Sequence, residues 1–83
     1  PNPNVRLAAV EALYLFRNQP GVKTSLVSAL AVQDSPLVQI ALIDLLVEIR
    51  EQRAAAALKA LIKDEKLNPD VKKLAEQGIK QLI

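Results

Sequence analysis

The chain contains no cysteine and no histidine. That removes disulfides, thiolate nucleophiles, the usual zinc ligand sets and imidazole acid–base chemistry together. Aromatic side chains are almost missing: Tyr14 and Phe16 are the only two, and both stand near the start. No ring therefore accompanies the later lysines to stack a nucleic-acid base. Long apolar runs are missing as well. Charged residues make up 24% of the chain and are spread along it, so no window of about 18 uncharged apolar residues occurs and a membrane span is excluded. A charged, then apolar, then small-residue leader pattern does not occur at the start, so no signal peptide is expected within this segment. Finally, no sign of charge dominates. Eleven Lys and Arg against nine Asp and Glu give a net charge of +2, too small and too mixed for an electrostatic footprint on nucleic acid.

What remains is an apolar chain with an internal period. Hydrophobic residues form 51% of 83 positions, which excludes disorder and suits one small soluble domain, near the size at which a single core is marginally sufficient. Pro3, Pro36 and Pro69 are separated by 33 residues each time. Each opens the same phrase: Pro3-Asn4-Val5-Arg6, Pro36-Leu37-Val38-Gln39 and Pro69-Asp70-Val71-Lys72. The match continues through Leu13, Leu46 and Ile79, then Phe16, Ile49 and Leu82.

The spacing of apolar residues predicts helices. Residues 4–17 place Val5, Ala8, Ala9, Ala12, Leu13 and Phe16 three and four apart, the pattern of one buried stripe. Asn2 is an N-cap candidate, and Pro3 at the first helical position loses no hydrogen bond. Asn18-Gln19-Pro20-Gly21 supplies a turn, and a second helix is expected over Val22–Val32. Ser35-Pro36 repeats the start signal for a third helix to Arg50, apolar except for a strip of Gln39, Asp44 and Glu48. A helix that apolar must be flanked on several sides. A fourth helix over Gln52–Asp64 carries the alanine run Ala54 to Ala57, which permits close approach of a neighbour. The last helix runs to Leu82 and buries Val71, Leu74, Ala75, Ile79 and Leu82. Gly78 weakens it by about 1 kcal/mol relative to Ala, with close packing or tolerance near a chain end as its structural account.

Helix pairs of this length, with Asp or Asn before Pro-x-Val-Arg and an alanine two residues on, resemble HEAT repeats of the short bacterial kind. The clearest copy is Asp34-Ser35-Pro36-Leu37-Val38-Gln39-Ile40-Ala41. It departs from the family at Gln39, where Arg or Lys is usual, and the third copy has Lys73-Leu74 where the others have an apolar residue and Ala. A period of 33 residues also suits ankyrin repeats, but no Thr-Pro-Leu-His phrase occurs. Tetratricopeptide landmarks of Trp, Gly and Tyr are missing too. The resemblance implies an all-α, right-handed α-α superhelix of about five helices, with the proline phrase opening the second helix of each pair. The chain, 1–83 as one repeat domain, then reads second-first-second-first-second, as expected for a piece of a longer protein. The face of the first helix toward its own partner, expected to include some of Leu7, Val10, Tyr14 and Leu15, is left exposed or covered by another copy. Self-association through that N-terminal end is expected.

Superposed on the family pattern, the second helices line a concave face. Glu11, Asp44 and Gln77 form one row, Leu15, Glu48 and Gln81 another, and Arg6, Gln39 and Lys72 a third. Arg6, Glu11, Tyr14, Gln39, Asp44, Glu48, Lys72 and Gln77 are the candidate partner-contacting residues, with Tyr14 the candidate hot spot and Phe16 assigned to the core. The like-charged pair Asp44 and Glu48 costs a few tenths of a kcal/mol, relieved by Arg6, Lys72 or Lys80 if they lie near. An open helical surface does not enclose paired carboxylates as hydrolysis requires, and no calcium loop is present. No catalytic residue, metal or cofactor is expected. The reading is a non-catalytic protein-interaction scaffold within a larger protein. Two alternatives compete: a nucleic-acid-binding array, requiring the lysines of the fourth and fifth helices on one face, and an accessory domain of an enzyme or membrane-associated regulator. Localisation is left open, with the cytoplasm expected for a soluble segment.

Overall fold

Each of the three proline phrases starts a helix. The structure is a computed structural model that describes residues 2–83, without the side chain of Pro3. Its helices are α1 (Pro3–Leu15), α2 (Val22–Val32), α3 (Pro36–Glu48), α4 (Ala54–Leu61) and α5 (Pro69–Leu82). They make 72% of the described residues helical, with no strand among them. Asn2 caps α1 by accepting a hydrogen bond from the Val5 N–H at 3.0 Å. Asn68 caps α5 in the same way, accepting from Asp70 and Val71. Ser35 holds the N-cap position of α3, but its hydroxyl makes no cap bond; its own N–H donates instead to the Gln33 side chain at 3.1 Å.

Turn chemistry sets the lengths. Gly21 lies at φ 85°, the left-handed region open to glycine, and reverses the chain between α1 and α2. After α3 the same job falls to Arg50 at φ 58°. There the Glu51 N–H reaches the Leu46 carbonyl and the Arg50 N–H the Val47 carbonyl, the paired bonds of a Schellman stop. Three expected helices are shorter than their apolar patterns, α3 ending at Glu48 rather than Arg50. α1 ends at Leu15 and passes into turns through Phe16 and Arg17, and α4 covers only Ala54–Leu61. At the end of α4, Lys63 and Asp64 bond three residues back, a tightening that closes a helix.

The helices form two layers in a slab of 32 × 31 × 16 Å. α1, α3 and α5 lie side by side; α2 packs on α3, α4 on α5, and α2 on α4. α3 is the centre, with neighbours in α1, α2 and α5. Its Val38, Leu42, Ile43 and Leu46 are each 1% exposed or less. Leu26 and Leu30 of α2, Ala54 and Leu58 of α4, and Val71 and Ala75 of α5 complete the interior. Gly78 marks the closest approach. A Cβ there would stand 3.2 Å from Val47 Cγ2 and 3.3 Å from Leu58 Cδ1, so α5 is pinched between α3 and α4.

The stripe expected on α1 is not its buried face. Val5 and Phe16 are each 55% exposed, and Ala8, Ala9 and Ala12 are exposed with them. Val10 is the residue of α1 that enters the core, with Leu13 and Tyr14 half-buried beside it. The reason is topological: α1 is covered chiefly by α3, so its burial follows the side toward α3. Phe16 is therefore not a core residue. Leu7, Val10 and Tyr14, expected on the uncovered side, turn toward α3 instead, while Leu15 is exposed. In α3 the polar strip is also interrupted, because Gln39 is buried and Leu37 is exposed.

Two substitutions test this packing. Leu46→Ala removes a side chain with no solvent exposure from the middle of α3 and is expected to cost about 2 to 5 kcal/mol in urea denaturation; an unchanged midpoint would contradict the placement of α3. Gly78→Ala would ordinarily stabilise a helix by about 1 kcal/mol. Here the stiff Val47 side chain must move, so no gain in melting temperature is expected, and a full gain would show that the pinch is absent.

Candidate functional site

α1 and α3 run side by side without closing fully, and between them lies a groove of about 310 Å³. Its floor comes from apolar residues that helical spacing turns to the same side: Leu7 and Val10 from α1, Ala41 and Leu45 from α3. Its rim is Glu11 and Tyr14 on one wall, Asp44 and Glu48 on the other. Tyr14 spans the two walls, its hydroxyl donating to Glu48 Oε1 at 3.2 Å. Arg17 lies over the ring at 4.3 Å from the centroid and donates to the Tyr14 carbonyl. This cation–π contact contributes about 0.5 to 1 kcal/mol and fixes the ring. Among the described residues neither Asp44 nor Glu48 has an ion-pair partner; Arg6, one of the cations expected to relieve them, pairs with Asp34. The groove thus joins an apolar floor to three carboxylates.

A larger recess, about 510 Å³, opens at the N-terminal ends of α3 and α5. Its polar groups hold the inter-helix loops in place. The Gln33 side-chain oxygen accepts from Arg6 at 2.7 Å and from the Ser35 N–H, while its carbonyl accepts from Gln39 Nε2 at 2.8 Å. Arg6 also reaches Asp34 at 3.0 Å. Asp64 accepts from the Lys66 N–H, and Asn68 caps α5. This recess is a junction between loops, whereas the carboxylates of the smaller groove have no ion-pair partner among the described residues.

A third polar cluster fastens the turn before α4. The Glu51 carboxylate accepts from Arg53 Nε at 2.7 Å, from its second guanidinium nitrogen at 3.1 Å and from its backbone N–H. The remaining Arg53 nitrogen donates to Thr24 in α2 at 2.9 Å. Hydrogen bonding from the Arg53 side chain is the main reason the Glu51 carboxyl lies below its ordinary value of 4.5; partial burial opposes this, and the charges of Arg53 and Lys23 add to the lowering. Nothing in the sequence pattern singled out Gln33, Glu51 or Arg53: Glu51 and Arg53 pair across one irregular turn, and Gln33 and Arg53 are also held by Arg6, Gln39 and Thr24 from other elements.

The structure distributes the eight candidate residues among three places. Glu11, Tyr14, Asp44 and Glu48 meet at the groove. Arg6 and Gln39 meet at Gln33, and Gln39, 5% exposed, is enclosed. Lys72 and Gln77 are exposed on α5, outside that groove. A family model described as HEAT repeats matches residues 1–80 of the chain. No curated protein and no solved structure matches it.

The Glu51 cluster gives the fold an acid sensitivity of known sign. A carboxyl whose value is lowered by folding contributes stability that is complete above its unfolded value and is lost as pH falls through the lowered one. Wild-type stability should therefore decline below about pH 4.5. Glu51→Gln should be less stable than wild type at neutral pH, and the gap should narrow in acid; parallel curves from pH 7 to pH 3 would contradict the assignment.

Proposed function

The chain belongs to the HEAT repeat family, and on that basis we propose that it is a non-catalytic module that binds a protein partner along the groove between α1 and α3. HEAT repeats are in general protein-interaction scaffolds. The observation that carries the proposal for this chain is the joining of an apolar floor to Glu11, Asp44 and Glu48, with Tyr14 held between the walls. That combination suits an amphipathic segment that inserts apolar side chains and lays lysines or arginines along the rim. Tyr14 is a rigid, half-buried aromatic of the kind that dominates interface energetics. No helix among the described residues is long and apolar enough to cross a membrane.

The nucleic-acid reading rests on Lys59, Lys63, Lys66, Lys72, Lys73 and Lys80, all exposed on α4, α5 and their connection. Asp64, Glu65, Asp70 and Glu76 are interleaved with them, and both aromatics lie on or beside α1. The protein-binding reading is the better supported.

Nuclear magnetic resonance titration with a synthetic amphipathic peptide, leucines on one face and lysines on the other, tests this. Shifts should concentrate at Leu7, Glu11, Tyr14, Ala41 and Asp44. The same peptide with glutamates for lysines should produce none. The double variant Asp44→Lys/Glu48→Lys should weaken binding about tenfold, a loss of about 1.4 kcal/mol. Shifts confined to α4 and α5 on adding mixed-sequence DNA, with no response to the lysine peptide, would favour the nucleic-acid alternative.

A further inference from the structure

The groove between α1 and α3 changes character along its length. Its walls share one spacing: Leu7, Val10, Glu11 and Tyr14 on α1 follow the i, i+3, i+4, i+7 stripe of a helix, and Ala41, Asp44, Leu45 and Glu48 on α3 follow the same stripe. The walls also run in the same direction. Arg6, near the start of α1, bonds Gln33 and Asp34 just ahead of α3, while Tyr14, near the end of α1, bonds Glu48 at the end of α3. Leu7 and Ala41 therefore share the N-terminal end of the groove, and Tyr14 and Glu48 the C-terminal end, about 10 Å away at a rise of about 1.5 Å per residue. Between them Val10 and Leu45 are buried, and Glu11 and Asp44 are exposed. All three carboxylates thus belong to the middle and the C-terminal end. None of them has an ion-pair partner among the described residues. Arg17, beyond the C-terminal end, is held against the Tyr14 ring and carbonyl instead.

We propose that the groove takes a helical partner segment whose apolar and cationic residues are segregated along its length. An apolar turn sits on Leu7, Val10, Ala41 and Leu45, and a turn bearing lysine or arginine lies next to it, over Glu11, Asp44 and Glu48. This rests on the reading of the groove as a protein-binding surface and adds which end of the partner lies where. Charge complementarity selects the placement. Turned end for end, the segment would press an ammonium or guanidinium group against Leu7 and Ala41, where no carboxylate of the groove lies, and desolvate it without a partner. Placed as proposed, the cations stay at the exposed rim, keep water on one side and meet carboxylates on the other. Tyr14 marks the boundary. Its ring is stacked on Arg17 and its hydroxyl is bonded to Glu48, so an apolar side chain at that end would meet a hydroxyl and a carboxylate rather than an apolar floor. The groove reads about two turns of the partner.

Two helical peptides of one composition, titrated into the 83-residue chain and followed by nuclear magnetic resonance, test the proposal. On the stripe that faces the groove, the first peptide has two leucines in one turn and two lysines in the next; the second alternates leucine and lysine. The first is made in both chain orders, because a helix can lie in the groove either way round. In its better order it should bind at least about tenfold more tightly than the alternating peptide. A nitroxide at its lysine end should broaden the amides of Tyr14 and Glu48, and one at its leucine end those of Leu7 and Ala41. Ala41→Glu, which puts a carboxylate at the apolar end, should keep the helical circular dichroism and remove most of the difference between the peptides. Equal affinities with shifts still at the groove, or broadening that ignores or reverses the two ends, would overturn the lengthwise polarity and leave the groove reading standing. No shift at the groove with any of the peptides would overturn both.

Discussion

A helix as apolar as α3 cannot stand at an edge. Of its thirteen residues, only Gln39, Asp44 and Glu48 are polar, and Gln39 is itself enclosed. Water must therefore be excluded from nearly its whole circumference, which takes neighbours on three sides: α1, α2 and α5. That demand makes the two layers, because helices on either side and one across are the fewest that can do it. Fully burying one such leucine or isoleucine contributes about 1.5 to 3 kcal/mol, and α3 does so repeatedly. α1 and α5, held against opposite sides of α3, become the margins of the slab.

The margins differ. α5 is gripped by α3 and α4 together, closely enough to require Gly78, and turns lysines and glutamines outward. α1 is gripped chiefly by α3. It leaves an acid-rimmed groove on one side and an alanine-lined face on another. The loop ends, by contrast, spend their polar groups on one another: Gln33 collects Arg6, Ser35 and Gln39 at one point. The surface with unused chemistry is therefore concentrated on and beside α1, the helix that the fold covers least.

Much of this architecture is written in local signals. The proline phrases, Asn2 and Gly21 fix helix starts and one reversal, and α2 and α5 lie within the spans their periodicity predicts. The helix count and the repeat family were legible for the same reason. The buried side of α1 was not. Its apolar residues occupy more than one face, and choosing between them depends on which neighbour is present, a fact of topology rather than of spacing. Gln39 was misplaced likewise: a glutamine on a helix reads as solvated until the Gln33 carbonyl is found beside it. The Schellman stop at Arg50 carried no glycine to announce it. For the candidate site, four residues of the expected face, Glu11, Tyr14, Asp44 and Glu48, are neighbours in one groove, whereas Arg6 and Gln39 answer to a loop the pattern could not locate.

Native-state hydrogen exchange in dilute solution would show whether α3 organises the molecule as argued. The amides of Leu42, Ile43 and Leu46 should exchange only through global unfolding, with the largest opening free energies in the chain, and those of α1 should open locally at lower cost. If α3 exchanged by local opening while α1 stayed protected to the global limit, the central helix would not be what holds the slab together.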